Sequence, residues 1–193
     1  MTLEVIQAEH TAPRRWRNGG GITRDLFSAP ATDAWAWRVS LADVEQDGPF
    51  SAYPGITRWF TVVQGAGVVL QFDAARQVLD SHSAPLQFDG ALQPDCHLQH
   101  GSTRDLNLMT RDGVCRGTMQ RATADDEWFS PLATRALFAA EPMRLQIDDA
   151  DAARLPAMSL VVSQHAAHQR WRVQAESDTP AAWWLAIELG RSA

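Results

Sequence analysis

At 193 residues, 45% apolar and 21% charged, the chain has ordinary globular composition, which excludes a disordered protein. Its net charge of −6 excludes a general nucleic-acid surface, which needs a basic face. All seventeen basic side chains are arginine, so Schiff-base chemistry, pyridoxal phosphate attachment and a Walker-type phosphate loop, each of which needs an amine, are excluded too.

The length fits one large domain or two small halves that share a core. No apolar run approaches a membrane span, and the first ten residues lack the basic-then-apolar pattern of a signal peptide. Two cysteines, Cys96 and Cys115, make no disulfide framework, so a reducing cytoplasm is the expected location.

Taken in order, Leu3 to Ile6 reads as a first strand. The run from Pro13 to Leu26 follows, with three consecutive glycines, Gly19, Gly20 and Gly21, after Asn18. Such a segment can approach a ligand closely and offer free amides to an anion. Arg14, Arg15 and Arg17 flank Trp16, which adds weight to a local anion site. The spacing is not a dinucleotide fingerprint.

From Trp37 to Leu70 the pattern is strand, turn, strand, tight turn, strand. Trp37, Val39 and Leu41 alternate with Arg38, Ser40 and Ala42, the period-2 mark of a strand with two unlike faces. Gln46 to Pro49 is a dense turn signal, and Thr57 to Val63 is a second strand. Gly65 and Gly67 are placed to close a hairpin into Val68–Leu70 with positive φ. Arg38 and Arg58 lie on strands, where a buried guanidinium is costly unless something anionic meets it.

Val78–Leu79 and Leu86–Phe88 read as short strands. In the next run Leu106 and Leu108 face one way, and Asp105, Asn107 and Met109 the other, as in a lined pocket or a satisfied internal network. His97 and His100 would point to opposite faces of a strand, and no second ligand cluster accompanies them, so no metal site is expected. No G-x-S-x-G nucleophile elbow is present. Further strands are expected at Thr118–Arg121, Arg135–Ala139, Met143–Ile147, Met158–Ser163, Gln169–Val173 and Trp183–Leu189, with Asp148–Leu155 a short helix or an acidic loop. Many short strands with Gly/Pro turns mean an all-β sandwich or barrel.

Three motifs together resemble the HutD/Ves family: W-x-N-G-G-G-x-T at Trp16–Thr23, W-R-x-S-x-A-x-V…G-P-F-S-x-x-P-G-x-x-R at Trp37–Arg58, and D-x-N-x-M at Asp105–Met109. Asp25 stands where that family more often has Glu. The resemblance implies a bicupin, two cupin-like antiparallel β-barrels in one compact domain, with an N-terminal barrel over about 1–115 and a C-terminal barrel over about 116–193. Compared with the H-x-H…E…G spacing of metal-binding cupins, counted back from Gly65, Ser51, Tyr53 and Arg58 occupy the His, His and Glu positions. A cation in place of a metal-binding carboxylate rejects a divalent metal and accepts an anion.

The family is tied to histidine utilisation and is regarded as a small-molecule binder that tempers that pathway. The resemblance therefore implies a small carboxylate ligand of the urocanate or formylglutamate type, no cofactor, no nucleic-acid or membrane partner, and a homodimer left open. In this reading Arg38 and Arg58 pair with the carboxylate, and Asn18, Thr23, Ser40, Ser51, Asp105 and Asn107 supply polar contacts. The Gly19–Gly21 amides close the mouth, while Trp37, Phe50 and Tyr53 form apolar walls. Two other readings stand beside it: a metal-independent isomerase or hydrolase using Asp105 or Tyr53, and an interaction module with an exposed tryptophan-rich face. Arg38 has a blander explanation as well, an internal salt bridge to Asp25 or Asp105.

Overall fold

The computed structural model describes residues 3–190. Among them the regular structure is all strand apart from a single 3-10 turn, Ala8–His10, and no helix is long and apolar enough to cross a membrane. The chain divides into two compact units.

The first strand, β1 (Glu4–Gln7), pairs antiparallel with Ser159–Ser163, and Ala8 N–H donates to the carbonyl of Met158. The N-terminal segment up to His10 is therefore part of the unit that resumes at Gly117, and the other unit is Thr11–Arg116. This corrects the placement of residues 1–10 in an N-terminal barrel. A short strand pairs with whichever sheet edge is open to it, and its sequence carries no address for a partner so far along the chain.

The Thr11–Arg116 unit contains β2 (Arg14–Arg15), β3 (Gly21–Ala29), β4 (Trp37–Val44), β5 (Gly48–Pro49), β6 (Ile56–Gln64), β7 (Val68–Gln71), β8 (Arg76–Leu79), β9 (Leu86–Asp89), β10 (Asp95–Leu98) and β11 (Thr103–Arg111). One sheet runs β2-β3-β4-β11-β6-β9 and the other β5-β10-β7-β8. Val44, Phe60 and Val62 from the first and Val68, Leu70, Leu79 and Cys96 from the second form one apolar cluster between them. The turn after β6 is not a hairpin: Gly65 and Gly67, at φ +101° and +105°, carry the chain from the six-stranded sheet into the four-stranded one. β3 is invisible to period-2 reading, because Arg24, Asp25 and Ser28 dilute its pattern and a bulge between Asp25 and Phe27 breaks its phase.

The other unit adds β12 (Cys115–Arg121), β13 (Glu127–Phe129), β14 (Thr134–Ala139), β15 (Met143–Ile147), β16 (Ala153–Leu155), β17 (Ser159–Ser163), β18 (Arg170–Gln174) and β19 (Ala182–Leu189). Its sheets run β1-β17-β14-β19-β12 and β13-β18-β15-β16, over a core that includes Trp171 and Trp184. Residues 148–155 form a turn and then β16, so the loop reading holds there and the helix reading does not. Asp148 adopts φ +51°, which ends regular structure, and its carboxylate accepts from the Arg170 amide. Two sheets over a shared apolar interior in each unit make open cupin-type sandwiches, not closed barrels.

Candidate functional site

The inner face of the six-stranded sheet follows from the registers of its central strands. β11 lies between β4 and β6, with Met109 opposite Arg38 on one side and Arg58 on the other. One step along, Asn107 lies between Ser40 and Phe60; one further step puts Asp105 between Ala42 and Val62. Alternation keeps all of these side chains on one face, and that face lines a cavity of about 570 Å³. The rest of the lining comes from Arg14, Arg15 and Thr23 on the outer strands of the same sheet and from Trp16, Arg17, Asn18, Pro49, Phe50, Ser51, Tyr53 and Gln93.

Arg58 is only 5% exposed. Its Nη2 donates to Asn107 Oδ1 at 2.8 Å and its Nη1 makes a long contact of 3.4 Å to the Ser51 carbonyl, while Nε has no partner. The guanidinium lies over the rings of Phe88, Phe50 and Tyr53 at 5.0, 5.2 and 5.8 Å, a cation–π setting that compensates part of its desolvation. Burial pulls this guanidinium down to about 10; the Arg38 charge adds to the fall, and Tyr53 and Asp105 oppose it. It stays cationic at neutral pH. Among the described residues no carboxylate lies within ion-pair distance of it.

Arg38 is partly neutralised. Its Nη1 is 3.6 Å from Asp25 Oδ1, and Asp25 is shared with Arg14 at 3.0 Å. Its Nη2 contacts Met109 Sδ at 3.1 Å, its guanidinium sits over Trp35 and Tyr53, and Nε is unpartnered. Tyr53, the chain's one tyrosine, thus presents its ring to both cations. Asp105 is fully buried with both carboxyl oxygens unpartnered. Burial pushes its carboxyl well above the usual range, Asp43 reinforces the rise, and Arg58 only partly opposes it.

Of the residues expected to form a site, the structure gathers Asn18, Thr23, Arg38, Ser40, Phe50, Ser51, Tyr53, Arg58, Asp105 and Asn107 around this one cavity. Trp37 is not among them: it is 1% exposed on the opposite face of β4 and packs on Phe27 at 4.8 Å between ring centroids. Neighbouring residues on a strand cannot share a face, so Trp37 and Arg38 diverge. The glycine run also stays out of the lining. Gly19 N–H donates to the Trp16 carbonyl and Gly20 N–H to Asn18 Oδ1, and Gly21 is packed against the Asp43 carbonyl. These glycines shape the β2–β3 turn, and the Gly19 and Gly20 amides are already spent on it.

Ala42, Val44, Phe60 and Met109 were legible by extending the alternation from Arg38, Arg58 and Asn107. Gln93 and Pro49, from loops and a two-residue strand, carried no such mark. The Ser51–Tyr53–Arg58 set does not fit a divalent metal, since it offers a cation where a carboxylate is needed. Among the described residues no three His, Cys, Asp or Glu side chains group as metal ligands, and His97 is paired with Asp47 at 3.1 Å. Among the described residues the exposed large apolar side chains, Phe129 and Leu189 among them, include no tryptophan.

Two cupin-type sandwiches, one holding an arginine-lined cup, define a bicupin. The chain belongs to the HutD family, whose sequence profile matches residues 8–181. It is 34% identical over 142 residues to an uncharacterised 21.2 kDa protein of the hutC 3′ region of Pseudomonas putida, covering 72% of this chain and 74% of that one. It is 35% identical to the protein Ves of Citrobacter koseri over 69% of each chain. Among solved structures, HutD from Pseudomonas fluorescens SBW25 superposes with a TM-score of 0.85 at 25% identity, covering 98% of this chain and 100% of that one. An oxalate decarboxylase of Bacillus subtilis, at 8% identity over 97% of this chain and 77% of that one, shares the fold with a TM-score of 0.61.

Proposed function

We propose that this HutD-family protein binds a small carboxylate metabolite, of the urocanate or formylglutamate type, in the cup of its Thr11–Arg116 unit. Binding tempers histidine utilisation in the cytoplasm. The names carried by the relatives, HutD and a hutC-region protein, support the pathway. The observation that carries the ligand class is the pair of guanidinium groups flanking Met109 on one cavity wall. The buried Arg58 faces its own desolvation and the repulsion of the half-buried Arg38, and no carboxylate of the described residues lies within ion-pair distance of it. A ligand carboxylate meets a guanidinium bidentately and relieves both. Arg38, already half-compensated by Asp25, is the weaker half of the clamp.

Thermal unfolding with urocanate, formylglutamate, histidine, glutamate and divalent metals tests this. An acid at about a hundred times its dissociation constant stabilises by roughly 2.7 kcal/mol, a rise of about 5–10 °C. That rise is expected for wild type, absent in Arg58→Ala, and reduced in Arg58→Lys, which keeps the charge and loses the fork. Stabilisation by metals and by none of the acids would sink the reading.

A further inference from the structure

The cup contains a polar group that two arginines and a carboxylate leave unexplained. Asp105 lies two residues along β11 from Asn107, the residue that fixes Arg58. Its neighbours across the sheet on the same face are Ala42 and Val62, so the sheet offers it nothing to bond. Thr23, the next residue in that row, accepts the Trp16 indole N–H on its hydroxyl at 2.7 Å and makes no hydrogen bond to Asp105. A buried carboxyl with neither oxygen bonded costs about as much as a lost hydrogen bond to a charged group, unless something entering the cavity meets it.

We propose that Asp105 is a specificity residue, which donates its carboxyl hydrogen to a second, uncharged acceptor on the bound acid. This rests on the carboxylate reading given above and narrows the ligand class. The favoured acid carries a carbonyl or imine acceptor on its chain beyond the carboxylate held by Arg58, on the Asn107 side of the clamp, where Asp105 follows along β11. A plain aliphatic acid fills the arginine clamp and leaves Asp105 unmet. An acid with an ammonium at that place needs an ionised Asp105, and the surroundings oppose ionisation. The charged and titratable groups that bear on this carboxyl are Asp43 from β4, Arg58 from β6 and the Cys96 thiol from β10. The Asp43 carboxylate is itself held ionised: burial would raise it, and Arg104 and Arg24 together outweigh that. The Cys96 thiol is pushed up to about 12 and stays neutral, and Arg58 only partly opposes burial and Asp43.

Three probe acids of equal chain length separate the possibilities in a thermal-shift and calorimetric titration: valerate, levulinate with its keto oxygen, and γ-aminovalerate with an ammonium on the same carbon. Levulinate is expected to bind about tenfold tighter than valerate to wild type. Asp105→Asn, which keeps an N–H donor, should retain most of that preference. Asp105→Leu should abolish it while still binding both acids through Arg58. Wild-type preference for levulinate should also fade as pH rises and Asp105 ionises, and in Asp105→Asn it should not. Equal binding of valerate and levulinate to wild type, or strongest binding of γ-aminovalerate, overturns the assignment and leaves the arginine clamp standing. Failure of all three acids together with urocanate and formylglutamate removes the carboxylate reading itself.

Discussion

Asp105 is a carboxyl held where only a neutral one is comfortable, and the consequence extends to folding. Its folded value is raised above the ordinary 3.8, first by burial and then by Asp43. Its contribution to stability is therefore complete below the ordinary value and is lost as pH rises toward the raised folded value. Asp105→Asn cannot titrate, so the mutant should gain on wild type as pH rises from the ordinary value of 3.8 toward the raised folded value, by up to about 1.4 kcal/mol per pH unit. Melting temperatures of the two proteins across that range measure the gain. A constant difference would mean that Asp105 ionises at its usual value. Arg58 imposes no such dependence: depressed only to about 10, it carries its charge throughout the same range.

At the scale of elements, the three-glycine run acts on β3 and β4. A Cβ at Gly21 would come within 2.2 Å of the Asp43 carbonyl oxygen, a backbone atom that cannot swing aside. The close approach keeps β3 in register with β4, Gly21 opposite Val44. It also supports Asp43, whose carboxylate receives Arg24 at 2.7 Å and Arg104 beside it. Gly21→Ala must push the two strands apart, at a cost of about 1–3 kcal/mol, visible as a lower denaturant midpoint. Gly20→Ala, whose Cβ would meet nothing nearer than the Asn18 side chain at 3.4 Å, should cost clearly less. Equal losses at the two positions would count against this packing role. The residues of this turn were conspicuous in sequence, but their use was not: identical glycines serve ligand amides and strand packing alike, and only the position of the Asp43 carbonyl distinguishes the two.

At the scale of the whole molecule, the chain's first segment completes the unit that its last eighty or so residues build. Removing residues 1–10 takes β1 from the edge of β17 and uncovers Val161 and its neighbours on that strand. It also discards the buried Ala8 and the half-buried Ile6. The loss is expected to be about 1–3 kcal/mol, with an exposed strand edge that invites aggregation. Near-ultraviolet circular dichroism of the Trp128–Trp171–Trp184 cluster, which lies in this unit, would register the change, and an unaltered spectrum and melting temperature would refute it.

The amino-acid sequence by itself determined the all-β class and the faces of β4 and β11, while the grouping of Arg38, Arg58, Ser40, Asp105 and Asn107 in one site came from the family resemblance of its motifs. Strand periodicity is a local property, and a strand of alternating character announces which side chains share a face whatever it pairs with. What only the tertiary structure decided depends on pairing between distant segments: the six-strand order that sets Met109 between two arginines, the shift of β7 into a second sheet, and the return of β1 to the C-terminal unit. The same holds for the state of each charged group. Arg38 finds Asp25 while Arg58 and Asp105 find no carboxylate or donor, because those partners are set by registers across the sheet. A sequence names the charges in a cup; the fold determines which of them are left for a ligand.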